Sequence, residues 1–379
     1  MTKLEQYRNE LDNIDKEITA LYEKRMNVVL EIAKTKKEEG VPTNVPDREK
    51  NIINKVTKMV SPELQVYTKQ LYETIFQTSK SYQARINAND GNLRKLLSWL
   101  LNKKSEFFPK VASVACQGVL GSYSSIAAEK LFQISDITYF KTFENVFEAV
   151  ESGKCKFGIL PIENSTAGSV NAVYDLMKKH EFFIVGGIKI SVRHCLLGNK
   201  GAKFEDITEI ISHEQALNQC SEYLKKFPNA KIHPVENTAV ASKTVAESGR
   251  IDIAAISSKE CSGYYGLSII DGDIADNQNN YTRFICISKE PMVYANSTKI
   301  SLMAALPHEA GSLSKILGRF NASGINLTKL ESRPTPNSVF EFMFYFDIEG
   351  DIHDPEVFDL LCDLDNSINL TFLGAYNEL

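Results

Sequence analysis

The 379-residue sequence predicts a multidomain chain in three styles: an all-α helical bundle, a two-lobed α/β unit, and an α+β ferredoxin-like unit. Three observations predict it. Residues 2–39 keep apolar positions at helical spacing with no breaker before Gly40. Between about 111 and 288, short buried-looking strand runs alternate with helical ones. From 299 onward the runs fall in the order βαββαβ. The boundaries read as 1–88, a linker over 89–110, then 111–290 and 298–379.

Composition narrows the function. A hydrophobic share of 43% and a charged share of 24% exclude disordered and fibrous classes. A net charge of -5 argues against nucleic acid as the main partner, so an anion site must be a local cationic cluster. The 7 cysteines are scattered without C-x-x-C and read as reduced thiols of a cytoplasmic protein. The 6 histidines show no ligand spacing, so no metal is expected. No apolar run approaches the roughly 18 residues of a membrane span.

In the first segment Thr2 and Glu5 form a capping box. Apolar residues at 4, 11, 14, 18, 21, 28, 29 and 32 predict one helix of about 38 residues, about 57 Å long. A second helix is expected from near Asp47 to near Val60. Ser61 and Pro62 are then expected to start a third, ending near Ile86. These three cannot close a core alone, so the long helix should pair with a copy in a homodimer or tetramer.

The informative residues are polar ones on inward stripes. Arg25, Val29, Ile32 and Lys36 share a stripe, and Arg8 borders the same band. Tyr72, Phe76, Ser79 and Gln83 repeat the spacing, while Arg48 and Glu49 precede Ile52, Ile53 and Val56. Any one cation here is more often a snorkelling surface residue. Together they describe a bundle pocket for a small dicarboxylate, because buried charge needs a partner.

On these residues the segment resembles the all-helical chorismate mutases. The resemblance implies that Arg8 crosses into the neighbouring subunit's pocket and that Arg25 and Arg48 grip the substrate carboxylates. It implies that Lys36 and Gln83 donate to the ether oxygen, and that Glu49 and Ser79 hold the ring hydroxyl and rim. Where the family often has an aspartate, this chain has Val45, with Asp47 nearby. The implied rearrangement of chorismate is pericyclic, so orientation and electrostatics suffice without base or cofactor.

In the linker, residues 93–101 form a short basic amphipathic helix carrying Trp99. Docking onto a neighbouring domain is favoured over a membrane surface, because the stretch is short.

In the middle segment, strands are expected at 111–116, 157–161, 182–185, 207–211, 251–256 and 284–287, in a largely parallel sheet. The chain should cross between lobes near 190–194 and return near 270–281, with a ligand in the cleft. Gly118 to Ser124 follows a strand and opens a helix, either as an anion cradle or as a plain turn with an N-cap. Pro161-Ile162-Glu163-Asn164-Ser165 ends a strand, Arg193-His194-Cys195-Leu196-Leu197 sits at the crossing, and Thr282-Arg283-Phe284 stands at a strand mouth.

In this order the strings resemble prephenate dehydratase, whose implied fold is periplasmic-binding-like. The family's essential threonine falls on Thr282. Prephenate loses hydroxide and carbon dioxide together, and a threonine is too weak an acid to ionise. Thr282 therefore reads as a hydrogen-bond donor to the departing oxygen. Ser122, Asn164, Ser165 and Arg283 are candidates to hold the carboxylates. Glu163 is either a structural partner or a proton source.

The last segment resembles the ACT regulatory domain. Glu331-Ser332-Arg333-Pro334 matches that family's effector motif intact, while its companion G-A-L-V stands here as Gly311-Ser312-Leu313-Ser314. The resemblance implies phenylalanine feedback, with a helix N-terminus at Gly311 to Leu313 able to hold a carboxylate. The leading reading is a bifunctional enzyme making phenylpyruvate from chorismate. The alternatives are a dehydratase with a weakened mutase or an arogenate preference, and a non-catalytic amino-acid sensor.

Overall fold

The computed structural model describes residues 2–39, 46–87, 91–103, 107–334 and 342–379. Val45 and part of the 333–337 turn lie outside the described residues, as does the side chain of Asp47.

Helix α1 (Lys3–Glu39) is followed by α2 (Pro46–Thr57) and α3 (Gln65–Asn87). The capping box forms: Thr2 N donates to Glu5 Oε2 at 2.6 Å and Glu5 N to Thr2 Oγ1 at 3.2 Å. Ser61 does not cap α3. Pro62–Leu64 instead makes one tight 3₁₀ turn, and the helix begins at Gln65. Among the described residues, only the second half of α1 packs within the chain, where Val29 and Ala33 are buried. Leu4, Leu11, Ile14, Ile18 and Leu21 all stand exposed.

Helix α4 (Asn92–Asn102) lies within residues the sequence assigned to a linker. Leu93, Leu97 and Leu100 sink into the core of the last unit, and Arg94 reaches Asp359 at 3.4 Å.

The first lobe starts with β1 (Val111–Gln117), α5 (Tyr123–Leu131), β2 (Ile134–Phe140), α6 (Phe143–Glu151) and β3 (Phe157–Asn164). It continues through a short β4 (Gly168–Ser169), α7 (Asn171–Met177) and β5 (Phe183–Ser191). The second lobe holds β6 (Cys195–Gly198), β7 (Glu209–Ser212), α8 (Glu214–Asn218), α9 (Ser221–Leu224) and β8 (Lys231–Pro234). It closes with α10 (Thr238–Ser248), β9 (Ile253–Ser257), α11 (Glu260–Tyr265) and β10 (Ser268–Asp271). The chain then returns to the first lobe as β11 (Tyr281–Ser288).

The first sheet runs β2-β1-β3-β11-β5 and the second β10-β6-β9-β7-β8. Both are mixed, which corrects the largely parallel sheet expected. β11 is antiparallel to β3 and β5, and β6 is antiparallel to β9 and β10. The cause is the double crossing: a strand re-entering where β5 left must run the opposite way. Sequence also missed β2, whose half-exposed edge alternates rather than forming an apolar run, and the fully exposed β8.

The last unit is β12 (Lys299–Leu306), α12 (Ser312–Ala322), β13 (Leu327–Pro334), β14 (Phe342–Glu349), α13 (Pro355–Ser367) and β15 (Asn369–Tyr376). Its sheet, ordered β13-β14-β12-β15, carries α4, α12 and α13 on one face. From the other face Met303, Tyr345, Leu373 and Tyr376 join the core around Tyr174 and Ile184 of the first lobe. At Gly374 a Cβ would meet the Ile184 carbonyl oxygen, so only glycine permits this approach.

Candidate active sites

In the bundle, α1 and α3 bring Arg25, Ser79 and Gln83 together, as helical spacing requires. Arg25 Nη1 donates to Ser79 Oγ at 2.5 Å, and its guanidinium lies 5.6 Å from the Phe76 ring centre. Ser79 and Gln83 are buried, and the Gln83 amide donates to the Val29 carbonyl at 3.2 Å. Lys36 is half-buried further along α1, and Glu49 pairs with Lys80 at 2.8 Å. Arg48 and Arg8 are exposed. Arg8 lies 17 residues before Arg25, about 25 Å along the helix at 1.5 Å per residue. One chain therefore assembles only part of the cation set.

The interlobe cleft, about 530 Å³, is lined by residues including Thr166, His213, Gln215, Gln219, Asp276 and Asn280. Two residues on from the cleft residue Asn280, the half-buried Thr282 sits opposite Asn164 in the β3–β11 ladder. Asn164 Nδ2 donates to Thr282 Oγ1 at 2.9 Å and to Asn280 Oδ1 at 2.8 Å. Asn164 Oδ1 in turn accepts from the amides of Thr166 and Ala167 at 3.0 and 2.8 Å, which fixes its rotamer. Ser165 Oγ accepts from Tyr281 N at 3.0 Å and donates to Asn279 O at 3.2 Å, clamping the returning segment to β3.

The sequence reading placed His194 at the crossing without giving it this role, and it missed the roles of Asn280 and Gln219. Asn280 Nδ2 donates to Gln219 Oε1 at 3.1 Å, and that oxygen also lies 3.0 Å from His194 Nε2. An oxygen already accepting from an amide must accept from the ring too, so His194 carries its proton on Nε2. Burial pushes the His194 imidazole below its ordinary 6.5, against an upward pull from Gln219. The signal available in sequence was the run of amide residues Asn277 to Asn280 at the return crossing; nothing local pointed to Gln219.

Ser122 is the N-cap of α5, accepting from Ser125 N at 3.4 Å and donating to Gln117 O at 3.3 Å. The turn works as a cap, with Gly118 and Gly121 at φ +105° and +81°. Tyr123 reaches across to the Arg193 carbonyl at 3.1 Å, tying the lobes.

Arg283 is not in the cleft, which corrects its assignment to substrate. Neighbours on a strand face opposite ways, so the residue after Thr282 points behind the sheet. Its guanidinium is 6% exposed and held by Asp347, Glu378 and the Tyr376 hydroxyl. Glu163 shares that back face and pairs with Lys329 at 2.8 Å, so of its two readings it takes the structural one. Burial alone would raise Glu378, but Arg283, Lys299 and Lys189 hold it at about 2.

In the last unit Gly311, at φ +86°, starts α12, with Ser312 and Leu313 half-buried. Glu331 accepts from Ser169 at 2.5 Å, and Arg333 grips Asp175 at 3.1 and 2.9 Å. The two charged residues of the effector motif thus face the first lobe, while Ser332 is exposed between them.

The Arg25–Ser79–Gln83 cluster of the bundle, a two-lobed cleft with Asn280 in its lining, and a docked βαββαβ unit define a multifunctional enzyme of small carboxylates. Residues 7–84 match the family model described as chorismate mutase type II, 114–292 that of prephenate dehydratase and 301–366 that of the ACT domain. The chain is 34% identical over 352 residues to a bifunctional chorismate mutase/prephenate dehydratase of Buchnera aphidicola subsp. Acyrthosiphon pisum, spanning 90% of this chain and 88% of that one. It is 38% identical over 275 residues to an Arabidopsis thaliana protein named arogenate dehydratase/prephenate dehydratase 2, chloroplastic, over 69% and 72% of the two chains. The crystal structure of prephenate dehydratase in complex with L-Phe from Arthrobacter aurescens matches with a TM-score of 0.63 at 27% identity, over 70% of this chain and 90% of that one. The chain belongs to the bifunctional chorismate mutase/prephenate dehydratase family. It rearranges chorismate to prephenate and converts prephenate to phenylpyruvate.

Among the described residues no helix is long and apolar enough to cross a membrane, and no group of three or more His, Cys, Asp or Glu is placed to hold a metal ion.

Proposed function

We propose that Thr282 is the hydrogen-bond donor that helps the ring hydroxyl of prephenate leave, with Asn164 holding it. The supporting observation is the 2.9 Å bond from Asn164 Nδ2. An amide donor takes a lone pair of the threonine oxygen, so the threonine proton turns toward the cleft. As carbon dioxide departs, its bonding electrons enter the ring and hydroxide leaves. A donated hydrogen bond stabilises that developing charge, and protonation gives water. Ser165 and Ser122 shape the cleft rather than carry charge.

In the bundle, Arg25 and Arg48 hold the carboxylates of chorismate, Glu49 and Ser79 the hydroxyl side, and Lys36 with Gln83 the ether oxygen. Gln83 must leave the Val29 carbonyl to do so. The exposed apolar half of α1 supports pairing with a second copy, which supplies its Arg8 to the pocket. Phenylalanine acts as effector at the last unit, around Gly311 to Leu313 and Ser332. The seven thiols are all free and buried, which supports a cytoplasmic site of action.

The test is turnover of purified protein on chorismate, prephenate and arogenate, with and without phenylalanine. Thr282→Ala should lower only prephenate turnover, by more than about a hundredfold. Arg25→Ala should lower only the chorismate step. Full prephenate turnover by T282A would overturn the assignment.

A further inference from the structure

Thr282 and Arg283 stand back to back on β11: Thr282 takes the Asn164 amide, which also holds the cleft residue Asn280, and Arg283 faces the regulatory sheet. Every acid on Arg283 belongs to that regulatory unit. Asp347, itself 7% exposed, lies 2.5 Å from Nη1 and also accepts from Ser301 at 2.5 Å. Tyr376 accepts from Nη2 at 2.8 Å and shares a hydrogen bond with Ser301 at 2.8 Å. Glu378 takes Nε and also pairs with Lys299 at 2.7 Å and Lys189 at 3.1 Å.

The same junction is bound through the backbone. Residues 377–379 add to the edge of β5, with Gly187 N on Asn377 O at 3.0 Å and Lys189 N on Leu379 O at 2.9 Å. β5 carries Lys189 and Ile190 in register with Arg283 and Thr282. Beside the pairs lies a polar cavity of about 650 Å³ lined by Glu163, Lys189, Arg283, Lys299, Thr328 and Glu378, which leaves these side chains room to exchange partners. Buried ion pairs are bistable connectors: strong when matched, and costly when one partner moves away.

We propose that Arg283 is a positioning residue through which the regulatory unit sets the placement of Thr282, so that Asp347 and Glu378 transmit effector binding to the dehydratase step. The inference rests on the reading above of Thr282 as donor and phenylalanine as effector. A shift of the regulatory sheet moves the two carboxylates, the guanidinium follows them, and β11 carries Thr282 relative to Asn164. Nothing in this route touches substrate, so the constant it governs is kcat rather than KM.

The experiment compares wild type with Arg283→Met, Arg283→Lys and Glu378→Gln in the full chain, on prephenate with and without phenylalanine. Thermal unfolding of the full chain reports folding, and chorismate turnover, carried by the helical bundle, reports the amount of active protein. For R283M the expected results are a kcat lowered about tenfold or more, KM for prephenate within about threefold, and loss of phenylalanine inhibition. R283K should recover part of both, and E378Q should weaken inhibition with a smaller fall in kcat. Wild-type kcat and inhibition in R283M would overturn the proposal. So would a KM raised more than about tenfold at unchanged kcat, which would return Arg283 to the substrate. If R283M fails to fold, R283K and E378Q decide by the same criteria. Wild type without phenylalanine inhibition would instead overturn the effector reading.

Discussion

At the scale of single residues, Asn164 and His194 carry more than their sequence context announced. Asn164 spends its amide on Thr282 and Asn280 and its carbonyl on two backbone amides, so its replacement unseats the Thr282 hydroxyl without removing the strand that carries it. Asn164→Ala should lower prephenate turnover by about tenfold or more, the worth of one well-placed hydrogen bond, while chorismate turnover is unchanged. His194 is 2% exposed, and its Nδ1 has no hydrogen-bond partner among the described residues. Its folded pKa lies below the ordinary 6.5, so the unfolded chain binds the proton more readily. Stability from this group is complete above pH 6.5 and declines as pH falls below it. Thermal unfolding midpoints should therefore drop on acidification from pH 7 toward about 5.5, and His194→Gln should flatten that slope. An equal slope in the variant would show that other groups set it.

At the scale of elements, helices were easier to read than strands. The capping box and the 3–4 spacing of α1 are local signals, so its start and length followed from sequence. Its partner surface did not, because a stripe says that something is covered and not by what. The same holds for β11. Adjacency at a strand mouth made Thr282 and Arg283 look like two hands on one ligand, yet period-2 geometry sends them to opposite faces. What lies behind the sheet is set by residues more than sixty positions later, beyond the reach of pattern. Helix α4 is a second instance, since its leucines predicted docking and tertiary structure alone supplied the core it completes. Leu97, with 0% exposure, should cost about 2–5 kcal/mol when replaced by Ala. Calorimetry should place that loss in the transition that also exposes the regulatory unit.

At the scale of the whole molecule, the mutase pocket is legible as a residue set and incomplete as a single-chain geometry. Arg25, Ser79 and Gln83 converge, while Arg8 stands about 25 Å away along α1. Light scattering should find an oligomer, and Ile18→Glu, at an exposed apolar position of that helix, should dissociate it. Such a variant should lose chorismate turnover by more than about tenfold and keep prephenate turnover, since Thr282 and its cleft come from one chain. A monomeric wild type with full mutase activity would sink the paired-helix reading.

The place of β11 also governs how the chain comes to exist. It lies between β3 and β5, yet it is synthesised only after the whole second lobe. Until then the nascent first lobe has a vacant slot at its centre, with two strand edges unpaired and open to foreign strands. Filling that slot joins segments far apart in sequence, which makes it a late and slow event. The last strand to enter the first lobe is the one that bears Thr282, so an immature chain presents two open strand edges until β11 is in place.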